Sequence, residues 1–218
     1  MRGFSVSKQL PVYSSREEWA NALTHGFGLA LAITAFIWMM VIATSAESVK
    51  VLVSAAIYSA TLIFMFLAST LYHSVQKPAA RIALRQVDHL AILYLIAGSY
   101  TPFTLITLSG GWGWSVFGIV WGLTAVGTVL QLTAARHLKG LMVGLYLLMG
   151  WTVVVAMKPL VANLATGGLT LLVAGGLAYT VGVAFYVNKR IPYNHAIWHL
   201  FVLAGAGCHC LAIALYVL

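Results

Sequence analysis

The chain is 218 residues long, 61% hydrophobic and 7% charged, with a mean hydropathy of +0.95. No water-soluble domain has that composition, so the chain is expected in a lipid bilayer. Lysine and arginine number 12 against 4 acidic residues, an excess that in a membrane protein reports topology rather than a nucleic-acid partner.

A helix crossing a hydrocarbon core of roughly 30 Å needs about 20 largely apolar residues. Cutting at charges and turn clusters leaves seven such stretches. The expectation is a single all-α polytopic domain over residues 1–218, with seven transmembrane helices behind a short arm at 1–20. The first stretch covers 22–44. Thr44, Ser45 and Ala46 would suit signal cleavage, but the apolar run is longer than a signal core and Glu17 and Glu18 precede it, which predicts a retained helix. A polar break at 45–50 leads to the second stretch, 51–74. A basic loop at 75–87 precedes the third, 88–108, which Pro102 is expected to kink. The turn Ser109-Gly110-Gly111 opens the fourth, 112–134. The last three run over 138–157, 166–187 and 195–217, punctuated by Lys158-Pro159 and Lys189-Arg190-Ile191-Pro192.

Smaller features are assigned along the way. Gly118 with Gly122, and Gly140 with Gly144, are expected to be packing sites within the chain rather than a dimer interface. Trp112, Trp114 and Tyr193 sit where interfacial anchors belong. Cys208 and Cys210, one residue apart in an apolar stretch, give no disulfide framework. The oligomeric state is not legible.

Orientation follows from the basic residues. Ten of the twelve fall on the face that carries the N-terminus: Arg2, Lys8, Arg16, Lys77, Arg81, Arg85, Arg136, Lys139, Lys189 and Arg190. Only Lys50 and Lys158 fall on the other. The bias places the N-terminus in the cytoplasm and the C-terminus outside, the inverse of a G-protein-coupled receptor.

Ionisable side chains inside spans are costly and point to function. His73 ends the second stretch, Asp88 opens the third, and His195 and His199 occupy the first two turns of the seventh, so all lie at one membrane level. His195 and His199 are four apart and share a helix face, as two ligands of one metal would, and Ser69 and His73 have the same spacing. A third histidine from another helix makes a three-nitrogen set with an open fourth position, the pattern of catalytic zinc, with Asp88 placed to hold or deprotonate a water. Haem ligation and a proton relay are competing uses of the same histidines. His89, His137 and His209 are assigned no role, whereas His25, near the same end of its span, could support the ligands from behind.

The stretches Ser69-Thr70-Leu71-Tyr72-His73, Asp88 and His195-Ala196-Ile197-Trp198-His199 resemble the hemolysin III family. So do Asn21-Ala22-Leu23-Thr24-His25-Gly26, Ala97-Gly98-Ser99-Tyr100-Thr101-Pro102-Phe103 and the run from Lys189 to His195, and the match covers essentially the whole chain. That family belongs with the adiponectin and progestin receptors and is similar to the alkaline ceramidases. The resemblance implies a zinc held by His73, His195 and His199, with Asp88 and Ser69 positioning the attacking water. The short tails and loops give the chain a bacterial look, and hence a place in the inner (plasma) membrane.

Two functions are compatible with these residues. One is a zinc-dependent hydrolase of membrane lipids, taking the carbonyl of an amide or ester from the cytoplasmic leaflet into the helix bundle. The other is a non-enzymatic protein, either a cytolytic pore or a regulator of membrane state with structural zinc. The near absence of a polar stripe along the spans speaks against a water-filled pore.

Overall fold

A computed structural model describes residue 11 and residues 13–133 and 138–218; the fold is all-helical over these residues. Seven helices are long and apolar enough to cross a membrane: α1 (Ser15–Ser45), α2 (Val49–Ser74), α3 (Pro78–Leu108), α4 (Gly110–Leu132), α5 (Gly140–Asn163), α6 (Thr166–Val187) and α7 (Asn194–Tyr216). The protein is a multi-pass membrane protein. The outer faces carry exposed apolar side chains such as Leu23, Phe27, Trp114, Val129 and Leu148, whereas Asn21, His25, Ser69 and His73 are buried, the distribution expected where the solvent is lipid.

Several ends differ from the expected ones. α1 starts at Ser15, because Ser14 and Glu17 form a reciprocal capping box and two glutamates occupy the positively polarised first turn. The expected basic loop at 75–87 is largely helix. Only Val75, Gln76 and Lys77 connect α2 to α3, which starts with Pro78 in its first turn and continues through good helix formers such as Ala79, Ala80, Arg81 and Leu84. A charge ends a hydrophobic window, but it does not end a helix. The expected end of the fourth span at 134 and His137 lie outside the described residues.

Pro102 stands at the junction where α3 passes into a π-helical turn, Phe103–Leu108. Hydroxyls of Ser99, Thr101 and Thr104 bond to nearby carbonyls of the same helix, as needed where no water reaches the backbone. α5 extends six residues past its expected end and contains Lys158-Pro159. The α-helix gives way to 3-10 turns at Thr152–Ala156 and a new segment, Met157–Asn163, begins. Pro159 thus falls in a first turn, where its missing N–H is not required. The Tyr100 hydroxyl stitches this junction, donating to the Gly150 carbonyl at 2.7 Å and accepting from the Val153 N–H at 2.8 Å.

Consecutive helices α1 to α4 pack as neighbours, and α7 closes against both α6 and α1. Close approaches use glycine. A Cβ on Gly98 would lie 1.9 Å from Thr61 Oγ1, and one on Gly28 would lie 2.5 Å from the Phe66 ring. The four glycines expected to pack do not: a Cβ on Gly118, Gly122, Gly140 or Gly144 meets nothing within 4 Å. Those small residues face outward, because i,i+4 spacing selects a helix face without saying which way it points. Trp112, Trp114 and Tyr193 are exposed near helix ends, as anchors should be.

Candidate metal centre

The end of the bundle that carries Arg16, Lys77, Arg81, Lys189 and Arg190 also holds His73, His195 and His199. His73 lies in the last turn of α2. α7 begins sharply after Tyr193, whose left-handed backbone (φ 56) turns the chain into the helix. Two ties fix that start: Asn194 donates its side-chain amide to the Phe185 and Tyr186 carbonyls of α6, and the Tyr193 N–H donates to Glu17 Oε1 of α1 at 3.2 Å. His195 and His199 then follow on one face.

One ligand nitrogen from each of His73, His195 and His199 lies within 4.8 Å of the other two. His73 Nε2 and His195 Nε2 are 3.2 Å apart. His73 Nδ1 contacts Glu18 Oε2 at 2.7 Å, and Arg81 pairs with the other carboxylate oxygen. His199 Nδ1 lies 3.2 Å from the Asn21 carbonyl. A carboxylate or carbonyl acceptor requires a proton on Nδ1, which leaves an Nε2 lone pair on both rings. Asp88, from α3, is buried close to Ser69, one turn deeper along α2 than His73. The structure therefore gathers the three histidines singled out in the sequence, with Asp88 and Ser69 buried near His73.

The group fits a metal ion. Two nitrogens bound at about 2.0–2.1 Å to a tetrahedral zinc stand roughly 3.3 Å apart, close to the His73–His195 distance. With the His73 Nε2 lone pair facing it, His195 Nε2 either donates its own proton across that gap or, deprotonated, shares a cation with it. Among the described residues, apart from Ser54, Tyr179 and His209, the buried side-chain polar atoms without a hydrogen bond belong to Asn21, His25, Ser69, Tyr72, Asp88, His195 and the Glu18–Arg81 ion pair. Unmet polar groups elsewhere are rare because they are costly, so their concentration here marks a place for polar guests.

The remaining histidines divide. His25, fully buried, stacks on His199 with ring centroids 3.5 Å apart and meets Phe66 edge-on. It stands behind His199 and is not part of the three-histidine group. His209 contacts the Leu172 carbonyl at 3.2 Å between α6 and α7. Sequence reasoning missed Glu18, which it used only against signal cleavage. The signal was available: Glu18, Asn21 and His25 fall at i, i+3 and i+7 on one face of α1. It also missed Tyr13, whose ring stacks on His195 at 5.3 Å from outside the spans. Burial pushes the Tyr13 phenol above its ordinary range, so it stays neutral.

An apolar cavity of about 160 Å³ lies beside the centre, lined by residues of α2 through α7 including Ile92, Leu95, Phe103, Val143 and Val202. Tyr186 lines it too, and its ring is 6.0 Å from that of His195.

The sequence matches the family described as Haemolysin-III related over residues 13–210. It is 41% identical to Hemolysin-3 of Bacillus cereus over 203 residues, covering 93% of each chain. It is 40% identical to a Hemolysin-3 homolog of Bacillus subtilis (strain 168) over 205 residues, 94% of this chain and 96% of that one. A human protein, Monocyte to macrophage differentiation factor, is 31% identical over 211 residues, 92% of this chain and 84% of the relative. The chain belongs to the Haemolysin-III related family.

Proposed function

We propose that this protein is a zinc-dependent hydrolase of lipid amides or esters, acting in a bacterial plasma membrane with its histidine-bearing end in the cytoplasm. The observation that carries the reading is the convergence of His73, His195 and His199 with Asp88 and Ser69 beside an apolar cavity. Three imidazole donors suit zinc. When bound, zinc would supply a Lewis acid that polarises a carbonyl and acidifies a water. Asp88 takes a proton from the attacking water and returns it to the leaving amine or alcohol. Ser69 orients the water or donates to the oxygen on which charge develops. The cavity accepts the acyl chain, and Tyr186 joins it to the centre. Orientation rests on the clustering of Lys and Arg at this end.

The name Hemolysin-3 borne by the Bacillus cereus relative favours a second reading, a cytolysin. The cavity is almost wholly apolar and the orphaned polar atoms gather mainly at one end, a poor lining for a conduit. A regulator with structural metal is the stronger rival, and Asp88 separates the two.

Purified protein is to be compared with a His73, His195 and His199 triple alanine variant by elemental mass spectrometry. About one zinc per chain, lost in the variant, supports the centre; no metal in either, with reconstitution also failing, sinks it. Asp88→Asn keeps the shape but removes the base. The hydrolase then retains metal and loses lipid turnover by about 10²–10⁴-fold, whereas a structural site tolerates the change.

A further inference from the structure

α1 gives no ligand to the centre, yet it touches two of the three. Glu18 engages His73 Nδ1 at 2.7 Å, and the backbone carbonyl of Asn21, one turn on, lies 3.2 Å from His199 Nδ1. The Glu18 contact is the more demanding because a buried carboxylate is expensive unless its oxygens are satisfied. Glu18 is 6% exposed; Oε2 meets His73, and Oε1 faces the Arg81 guanidinium as an ion pair. Arg81 is held in turn, with its guanidinium 5.4 Å over the Tyr72 ring. The chain Tyr72, Arg81, Glu18, His73 thus runs from α2 through α3 and α1 back to α2.

This arrangement has a chemical consequence. An imidazole can carry its proton on either nitrogen and can rotate about its ring torsion. A carboxylate at Nδ1 removes both freedoms, since only an Nδ1–H is bonded there and the ring plane must aim at the oxygen. What remains is a lone pair on Nε2, the atom 3.2 Å from His195 Nε2. The Arg81 charge holds Glu18 in its rotamer and away from the ligand role that a carboxylate could otherwise take.

We propose that Glu18, clamped by Arg81, is a positioning residue of the metal centre: it keeps the His73 proton on Nδ1 and turns Nε2 toward the metal. α1 therefore sets the affinity of a site to which it supplies no ligand. The inference rests on the metal-centre reading above, and it adds an outer carboxylate that neither the ligand spacing nor the family resemblance assigns.

The test measures Zn²⁺ affinity of the full chain in detergent by competition with a chelator, for wild type, Glu18→Ala, Glu18→Gln and His199→Ala. Glu18→Ala is expected to weaken binding about 10–100-fold, the usual consequence of losing a hydrogen-bond partner behind a metal-bound histidine. Glu18→Gln strands Arg81 just as alanine does but keeps an oxygen acceptor, so it is expected to recover most of the loss. Affinity of Glu18→Ala within twofold of wild type would overturn the proposal, as would Glu18→Gln binding as weakly as Glu18→Ala, which would assign the effect to charge balance. If Glu18→Ala does not fold, ¹⁵N-histidine spectra of metal-free wild type decide: a His73 proton on Nδ1 supports the proposal and a proton on Nε2 overturns it. Wild type that binds no Zn²⁺ fails the metal-centre reading itself. Wild type that binds, with His199→Ala that does not and Glu18→Ala unchanged, fails only this inference.

Discussion

The side of the bundle built around α2 and α3 differs from the side built by α5 and α6. In the most apolar 18-residue window of α2 and of α3, 56% of residues are buried, against 17% in α5 and in α6. Buried polar side chains follow the same division: His73, Ser69 and Asp88 come from the first side, while α5 and α6 bury none among the described residues. A metal centre needs ligands held within about 0.5 Å of a productive geometry by packed and hydrogen-bonded neighbours. A chamber for a flexible chain needs room, and room means few contacts. On the proposed reading the two requirements stand side by side, with Tyr186 lining the cavity and its ring 6.0 Å from that of His195.

Metal removal tests that division most severely. A ligand present at a thousandfold over its Kd stabilises the state it binds by about 4 kcal/mol, and a chelator withdraws that amount. The expected result is a lower melting temperature together with faster hydrogen exchange at 69–74 and 194–199, and little change at 143–156. Equal loosening everywhere would mean that the metal supports the whole bundle and that the two sides are not separate.

The packed side is also expected to resist added volume. Gly98→Ala sets a methyl group against Thr61, where the Cβ would lie 1.9 Å from Oγ1, and is expected to cost about 1–3 kcal/mol. Gly118→Ala meets nothing within 4 Å and is expected to change stability by under about 0.5 kcal/mol. Thermal unfolding in one detergent measures both. A large loss at Gly118 would show that its outward face is covered by another copy of the chain.

The sequence carried this division unevenly. Seven spans and the cluster of His73, His195 and His199 were legible because hydropathy sets the number of crossings and because ionisable groups are rare inside them. Helix ends were less so: Pro78–Val87 reads as loop by charge, yet it is helix, and Arg81 within it pairs with Glu18. Lys158-Pro159 reads as a stop, but the preceding 3-10 turns put Pro159 in a permissive first turn. Glu18 was hidden for a different reason. The polar face it shares with Asn21 and His25 marks it as inward, but its partners are 55 and 63 residues away in sequence, and no local pattern says which groups it meets. The cavity was illegible as well, since its lining is gathered from six helices, α2 through α7.

The smallest expected effect concerns that cavity. Val143 of α5 lines it and is only partly buried, and α5 makes few contacts that a larger side chain could strain. Val143→Phe should therefore fold normally and keep its metal, because no ligand or partner of a ligand lies on α5. Its ring takes space that an acyl chain would fill. On the hydrolase reading, kcat/KM for a long-chain lipid amide is expected to fall about tenfold, equivalent to about 1.4 kcal/mol, mostly through KM, while a short-chain ester keeps its rate. Loss of both substrates in parallel would place the effect on the chemistry, and the loosely packed side would then be part of the centre rather than a chamber beside it. No loss on either would mean that the chain lies elsewhere, and that the low packing of α5 and α6 serves something other than binding.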